Sequence, residues 1–223
     1  MSAYFPAFLD LRGRRCLVAG GGSIGERKVR ALLDCGARVT VVSPVVTAGL
    51  ARLAKERRIV HRPRPFEARD VRGVSLAIAA TGVATVDSAV GAAARRRHVL
   101  VNVVDRPSAC DFIFPSVLRR GGLQIAVSTG GRSPALAREI RKELEPLFSP
   151  SYGDFVERVG RARARACKAA ETPRGRMEAA EQVVKTALAG RRRWGRVRRL
   201  GESVGQGRPT PKGEKRRVER ANL

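Results

Sequence analysis

A glycine-rich turn between an apolar run and an amphipathic segment constrains the fold more than any other feature of the chain. Residues 16–19 are apolar, Gly20, Gly22 and Gly25 follow with the spacing G-x-G-x-x-G, and residues 29–33 resume the apolar pattern. In such a turn the first glycine permits a tight bend, the second lets the backbone approach a pyrophosphate, and the third lets a helix lie close to a strand. The helix N-terminus also presents free N–H groups to phosphates. The pattern predicts a dinucleotide site, against the alternative of a ligand-free glycine turn at a strand–helix junction.

The second predicted strand, residues 38–44, ends without the acidic residue that usually accepts hydrogen bonds from an adenosine ribose. Ser43 stands at roughly that place. Its hydroxyl can bond a ribose hydroxyl, but it neither repels nor specifically attracts a 2′-phosphate. This position therefore leaves the choice between NAD and NADP open.

Strands and helices alternate through the first half of the chain. Helical spacing over residues 48–58 is followed by two continuous apolar runs, 74–81 and 99–105, that flank an alanine-rich helix at 84–98. Continuous apolar strands are typical of parallel sheets that are covered on both faces. We therefore predict an α/β fold, a Rossmann-like doubly wound parallel sheet over residues 1–112.

The pattern changes after Asp105. The apolar runs 111–118 and 123–129 are separated by two arginines and two glycines, which predicts a hairpin. Ser133 is then the expected N-cap of a further helix, with Pro134 as its first residue. The glycines before this helix start leave two interpretations open, an anion site or simple capping.

Two helical patterns, 154–171 and 176–188, follow and are broken at 172–175. We expect residues 150–190 to form a small helical domain.

The chain is strongly basic, with 45 Lys and Arg against 20 Asp and Glu and a formal charge of +25. Such a field favours polyanions, whether nucleic acid, an acidic membrane surface or a small substrate with several carboxylates. Residues 191–223 are rich in Arg, Lys, Gly and Pro, and we expect a disordered basic tail. The tail could bind nucleic acid with Trp194 as a stacking residue, but we favour a solvated extension.

Cysteine and histidine usage argues against a resident metal. The four cysteines are scattered without a C-x-x-C pair and there are two histidines, so no recognisable metal-ligand set is expected. Reduced thiols favour the cytoplasm. The first residues lack a basic leader and no run has the length of a membrane span, so we expect neither a targeting segment nor membrane insertion.

Asp105 is the candidate catalytic residue. In an open α/β sheet the ligand lies beyond the carboxyl ends of the strands, and Asp105 ends an apolar strand at that edge. If buried there, its carboxylate could act as a general base, taking a proton while hydride leaves to the cofactor. The alternative is an aspartate that only caps the turn before Pro107.

Five segments together resemble the siroheme synthase N-terminal domain family, the precorrin-2 dehydrogenases. The resemblance covers about residues 3–147 in the family's order, and the segments are 4–11, 20–28, 101–105, 112–116 and 128–134. It implies NAD-dependent oxidation of precorrin-2 to sirohydrochlorin and, in some members, insertion of iron(II) to give siroheme. It also implies that residues 113–149, after the Rossmann unit, form a dimerisation and substrate region of a homodimer.

The resemblance places the family's catalytic aspartate on Asp105 and the cofactor contacts on the first glycine turn and the end of the second strand. The expected cofactor contacts are Gly20, Gly21, Gly22, Ser23, Ile24, Gly25, Ser43, Pro44 and Val45. Precorrin-2 carries acetate and propionate groups, which suit a basic cleft. The expected substrate contacts are Asn102, Thr129, Gly130, Gly131, Arg132 and Ser133, with Arg132 as the first candidate.

One different class of function stays open. The chain could be a non-catalytic dinucleotide sensor or tetrapyrrole carrier whose basic tail docks on nucleic acid. The presence of Asp105 and of the second glycine turn favours the enzyme, because a sensor would need the first turn alone.

Overall fold

The structure is a computed structural model that describes residues 4–190, so the predicted tail and Trp194 lie outside the described residues. The chain divides into two compact units. Of the described residues, the first unit comprises 4–118 and 125–143, and the second comprises 119–124 and 144–190.

The first unit contains a sheet of five parallel strands with the order β3-β2-β1-β4-β5. Its strands are β1 (Arg15–Ala19), β2 (Arg38–Val42), β3 (Ile59–Arg62), β4 (Leu76–Ala79) and β5 (Leu100–Val103). The helices that connect them are α1 (Ser23–Asp34), α2 (Ala48–Lys55) and α3 (Ala84–Arg95). Short 3-10 turns occur at Ala68–Val71 and Pro107–Ala109. The predicted doubly wound α/β sheet is confirmed.

The apolar strands are buried on both faces, as their composition requires. On one face Cys16 and Val18 of β1 pack with Val29 and Leu50 from α1 and α2. On the other face Leu17 belongs to a second cluster that includes α3 residues. Alternate residues of a strand point to opposite faces, so a strand covered on both sides needs an unbroken apolar run.

Two helices end earlier than the sequence pattern predicts. Helix α2 ends at Lys55 rather than residue 58, and α3 ends at Arg95 rather than His98. Arg57 and His98 have φ values of 57° and 54°, in the left-handed region. A residue in that conformation terminates an α-helix.

The segment after β5 differs from the predicted hairpin. Strand β6 is Ser116–Arg120 and β7 is Leu123–Val127, joined by the predicted glycine turn. Residues 111–115 are not part of β6. Instead, Asp111 folds back on β5: its N–H donates to Val101 O at 2.8 Å, and its carboxylate accepts from Val101 N at 2.9 Å. The free edge of β5 takes up this segment, so the paired strand begins later.

Helix α4 (Pro134–Leu144) begins where the sequence predicts. The hydroxyl of Ser133 accepts a hydrogen bond from Leu136 N at 3.2 Å, which confirms it as the N-cap.

The second unit contains two long helices, α5 (Tyr152–Ala169) and α6 (Pro173–Ala189). The predicted break between the helices at 172–175 is wrong in its extent, because α5 ends at Ala169 and α6 already begins at Pro173. Thr172 caps α6 by accepting from Gly175 N at 3.0 Å, and Pro173 is the first helical residue. Proline is well suited to that position because its missing N–H would be unpaired there. Within residues 4–190, no helix is both long and apolar enough to cross a membrane.

Candidate active site

The first glycine turn lies where the strand order reverses, between β1 and β4. Gly20 has a φ of 119°, and a Cβ at this position would lie 2.1 Å from Ala80 O. A Cβ on Gly25 would lie 2.4 Å from Gly20 O, so α1 approaches the turn as closely as the spacing predicts. Only glycine fits these two positions.

Gly22 differs from its neighbours because no protein atom lies within 4 Å of where its Cβ would be. It precedes α1 with an extended backbone at φ −78°, and no side chain caps the helix there. The open space and the uncapped helix start fit a pyrophosphate. Ser23 and Ile24, the next two residues, are exposed at the same helix start.

Glu26 fixes the loop after β2 against the glycine turn. Its carboxylate accepts a hydrogen bond from the Thr47 hydroxyl and pairs with Arg30. These hydrogen bonds, with Thr47 first, lower the pKa of Glu26. Thr47 N also donates to Gly21 O at 2.9 Å. The two walls expected to hold the cofactor are therefore joined by hydrogen bonds.

Ser43, Pro44 and Val45 follow β2 in that loop, and Pro44 and Val45 are exposed. The Ser43 hydroxyl donates to Val45 O at 2.7 Å, so its oxygen is left to accept from a ribose hydroxyl. No carboxylate stands at these three positions. The glycine turn and the loop at residues 43–45 together fit a dinucleotide. The loop does not discriminate between NAD and NADP.

A cavity of about 560 Å³ lies beyond the carboxyl end of β5, within the first unit. Five of the predicted residues line it: Ile24, Asn102, Asp105, Thr129 and Gly131. The lining does not include Gly130, Arg132 and Ser133, the other predicted substrate contacts.

Asp105 follows β5 and is exposed, so the burial considered for its carboxylate is not present. Its φ is 59°, in the left-handed region. Few residues other than glycine adopt this conformation, although aspartate tolerates it better than most. Val104, the residue before Asp105, still donates to Ala79 O at 3.0 Å. The chain therefore leaves the sheet at Asp105, where the strained backbone is found and where the residue lines the cavity.

Asn102 and the second glycine turn are held by their own hydrogen bonds. The Asn102 amide donates to Phe112 O at 2.9 Å, and the side chain is buried. The Thr129 hydroxyl accepts from Ser133 N at 2.9 Å and donates to Ser133 O at 3.1 Å. Gly130 and Gly131 have φ values of 64° and 83°. These bonds give the turn a fixed shape.

Sequence reasoning missed several residues that line the cavity, chiefly Arg27, Lys28, Arg106, Phe114 and Arg138. Helical periodicity could have identified Lys28, because Ile24, Lys28 and Ala31 are spaced so that they lie on one face of α1. The others come from separate elements that only the fold brings together.

The cavity wall is cationic. Its lining contains Arg27, Lys28, Arg106 and Arg138, whereas Asp105 is its single carboxylate. Burial, followed by the charge of Arg27, lowers the pKa of Lys28 to about 8. Among residues 4–190, no group of three or more His, Cys, Asp or Glu side chains could hold a metal ion.

Two family models match the chain. Residues 7–116 match a family described as putative NAD(P)-binding, and residues 120–146 match the central region of the sirohaem biosynthesis protein. The siroheme synthase of Methylococcus capsulatus is 42% identical over 83% of this chain. The chain belongs to the siroheme synthase N-terminal domain family. A second relative, the siroheme synthase of Methylobacillus flagellatus, is 48% identical over 66% of this chain.

The siroheme synthases extend well beyond this chain. It spans 39% of the Methylococcus protein and 32% of the Methylobacillus protein. Among solved structures, the protein titled "SirC, precorrin-2 dehydrogenase" is matched over its whole length and over 83% of this chain, with a TM-score of 0.63 and 23% identity. At that identity the likeness establishes the shared fold.

Proposed function

We propose that this chain catalyses the NAD-dependent oxidation of precorrin-2 to sirohydrochlorin. The observation that carries the proposal is the position of Asp105, at a cationic cavity and on the same sheet edge as the glycine turn. Asp105 follows β5 and the turn follows β1, with β4 between them. Two strand spacings are roughly 10 Å, a distance that a dinucleotide bridges.

Each part of this edge has a separate task in the proposed reaction. The glycine turn and the loop at Ser43 would hold the dinucleotide, and NAD when bound supplies the acceptor for a hydride. Asp105 would accept the proton that the tetrapyrrole loses as hydride leaves, so that two electrons and two hydrogens are removed in total. Because Asp105 is exposed, its proton can pass to water and the carboxylate is restored for the next turnover.

The cationic wall supports a polycarboxylate substrate. Precorrin-2 carries acetate and propionate groups around its rim, and charge-assisted hydrogen bonds to arginine and lysine would hold them. A cavity of about 560 Å³ admits part of such a ring system and leaves the rest exposed.

The test is anaerobic turnover of precorrin-2 with NAD by the wild type and by Asp105→Asn, followed by the tetrapyrrole spectrum. We expect the variant to lose at least about 100-fold in rate while it still binds NAD. Asp34→Asn is the matched control, because Asp34 is an exposed carboxylate at the end of α1 and does not line the cavity. A folded, NAD-binding wild type that gave no sirohydrochlorin would favour the sensor or carrier.

Iron(II) insertion is a second proposed activity of the same cavity. Metal insertion needs no resident metal site, because the tetrapyrrole nitrogens become the ligands and Asp105 could accept their protons. Adding iron(II) after complete oxidation tests this step separately: siroheme formed faster than without protein supports it, and an equal rate opposes it.

We also propose a homodimer in the cytoplasm. The β6–β7 hairpin is a two-stranded sheet, and such a sheet is marginal without a covering surface. Phe112 and Phe114, which precede the hairpin, pack against the core of their own unit. All four cysteines are free thiols, which suits a reducing compartment. Sedimentation of the purified chain tests the dimer.

A further inference from the structure

Lys28 is a half-buried cation in the wall of the candidate active site. It lies in α1 and lines the same cavity as Asp105. Its Nζ is 3.4 Å from the centroid of the Phe114 ring. Among the described residues it forms no ion pair with a carboxylate. The ammonium group therefore rests on an aromatic face, and Asp105 attracts it through charge without forming an ion pair with it.

This arrangement is costly for the protein alone. Taking an ammonium group partly out of water is unfavourable, and contact with a phenylalanine ring offsets only part of that cost. The lowered pKa of Lys28, about 8, has burial as its largest cause and reflects the same imbalance. A carboxylate that entered the cavity would meet a cation that has already lost much of its hydration, which strengthens the resulting ion pair.

Lys28 differs in this respect from the other cations of the cavity. Arg27, Arg106 and Arg138 are exposed. Arg106 also donates to the hydroxyl of Ser88 at 2.6 Å. Exposed charges steer an anion but add little affinity each, because water screens them.

We propose that Lys28 binds a carboxylate of the tetrapyrrole substrate and that Phe114 holds the ammonium group in position for it. The inference rests on the proposed function and deepens it, since it assigns a substrate-positioning role to a residue four places along α1 from Ile24. The class of ligand is a polycarboxylate ring system.

The affinity of Lys28 for a carboxylate should depend on pH. The charged or titratable groups that face Lys28 are Arg27 on α1, Asp105 and Arg106 after β5, Cys110 after the 3-10 turn and Arg138 on α4. Burial raises the pKa of the Cys110 thiol above its ordinary value, so that thiol titrates at higher pH than Lys28. Lysine binds a carboxylate only when protonated, so affinity should be full at neutral pH, where the ligand carboxylates are also ionised, and should fall as the pH rises through about 8.

Binding is measured with uroporphyrin, a porphyrin with eight carboxylates, in the absence of NAD. At pH 7 we expect Lys28→Met to bind about 10- to 100-fold more weakly than the wild type. Lys28→Arg should bind within a few-fold of the wild type, and Lys55→Met, which removes a charge from the exposed end of α2, should bind unchanged. Methionine keeps contact with the ring, so the melting temperature of Lys28→Met should equal or exceed that of the wild type.

The pH profile separates a charge contact from a packing role. Wild-type affinity should fall between pH 8 and 9.5, whereas Lys28→Arg should keep its affinity because arginine stays charged. Equal binding by Lys28→Met and the wild type, or the same fall in both the wild type and Lys28→Arg, would overturn the inference.

Turnover distinguishes this inference from the proposed function. With precorrin-2 and NAD, Lys28→Met should raise KM and change kcat little. A wild type that oxidises precorrin-2, with a Lys28→Met variant of unchanged KM, would refute the role of Lys28 alone. A wild type without turnover, in which Lys28 still governs uroporphyrin binding, would refute the dehydrogenase and support Lys28 as a polycarboxylate site.

Discussion

Alanine at Gly22 and alanine at Gly20 should separate cofactor binding from folding, although the two residues lie in one turn. At Gly22 the added methyl group enters open space, since no protein atom lies within 4 Å of it, and the φ of −78° suits any residue. At Gly20 the methyl group would lie 2.1 Å from Ala80 O, on a backbone with a φ of 119°.

The expected magnitudes differ accordingly. For Gly20→Ala, the overlap costs about 1–3 kcal/mol and the left-handed backbone about 1–3 kcal/mol more. A domain of this size would lose roughly 5–20 °C in Tm. For Gly22→Ala, the reduced entropy of the unfolded chain offsets the loss of a favourable N-cap glycine, so stability should stay within about 1 kcal/mol. If a pyrophosphate lies against Gly22, however, the methyl group should weaken NAD binding about 10- to 100-fold.

Thermal melts monitored by circular dichroism and calorimetric titration with NAD measure the two effects on each variant. Gly82→Ala is a useful control for a strained glycine outside the turn, since its φ is 75° and no atom would contact its Cβ. Should Gly22→Ala bind NAD as tightly as the wild type, the turn would not hold the pyrophosphate as proposed.

Three further predictions concern other parts of the chain. Burial acts to raise the pKa of Asp70, but hydrogen bonds, led by that from Arg64 and including one from Arg62, outweigh it and leave the pKa lowered. Asp70→Asn should therefore lose about 2 kcal/mol of stability at pH 7 and almost none well below pH 3.8. Urea unfolding of the wild type and the variant at both pH values measures this difference. A loss of stability that does not depend on pH would argue against the ion pair. Arg132 is exposed next to Gly131, which lines the cavity, so replacing Arg132 by alanine should raise the KM for precorrin-2 only about 2- to 5-fold without changing the Kd for NAD. Steady-state kinetics giving the opposite pattern would remove it from the substrate site. Deleting residues 191–223 should leave turnover intact, and a folded but inactive truncation would show that the tail takes part in the reaction.

The features that could be predicted from sequence are those with a local cause. Glycine spacing identifies the turn after β1, because each glycine meets a steric need of its own neighbours. Unbroken apolar runs identify parallel strands, since both faces of the sheet are covered. Ser133 and Pro134 likewise mark the start of α4 through backbone groups within one helical turn.

Features that depend on distant residues required the tertiary structure. Asp111 forms hydrogen bonds with Val101 at the free edge of β5, so the first strand of the hairpin begins later than predicted. Asp105 is exposed at the cavity, because the segments that line the cavity around it leave it open to solvent. Lys28 belongs to a glycine-turn motif by sequence, and only the packing of Phe114 beside α1 makes it a half-buried cation. Local sequence patterns therefore predict the parallel strands, the glycine turn and an aspartate at the sheet edge, because the causes of these features lie within a few residues. The burial and charge around that aspartate follow from the fold, because they depend on segments that are far apart in the chain.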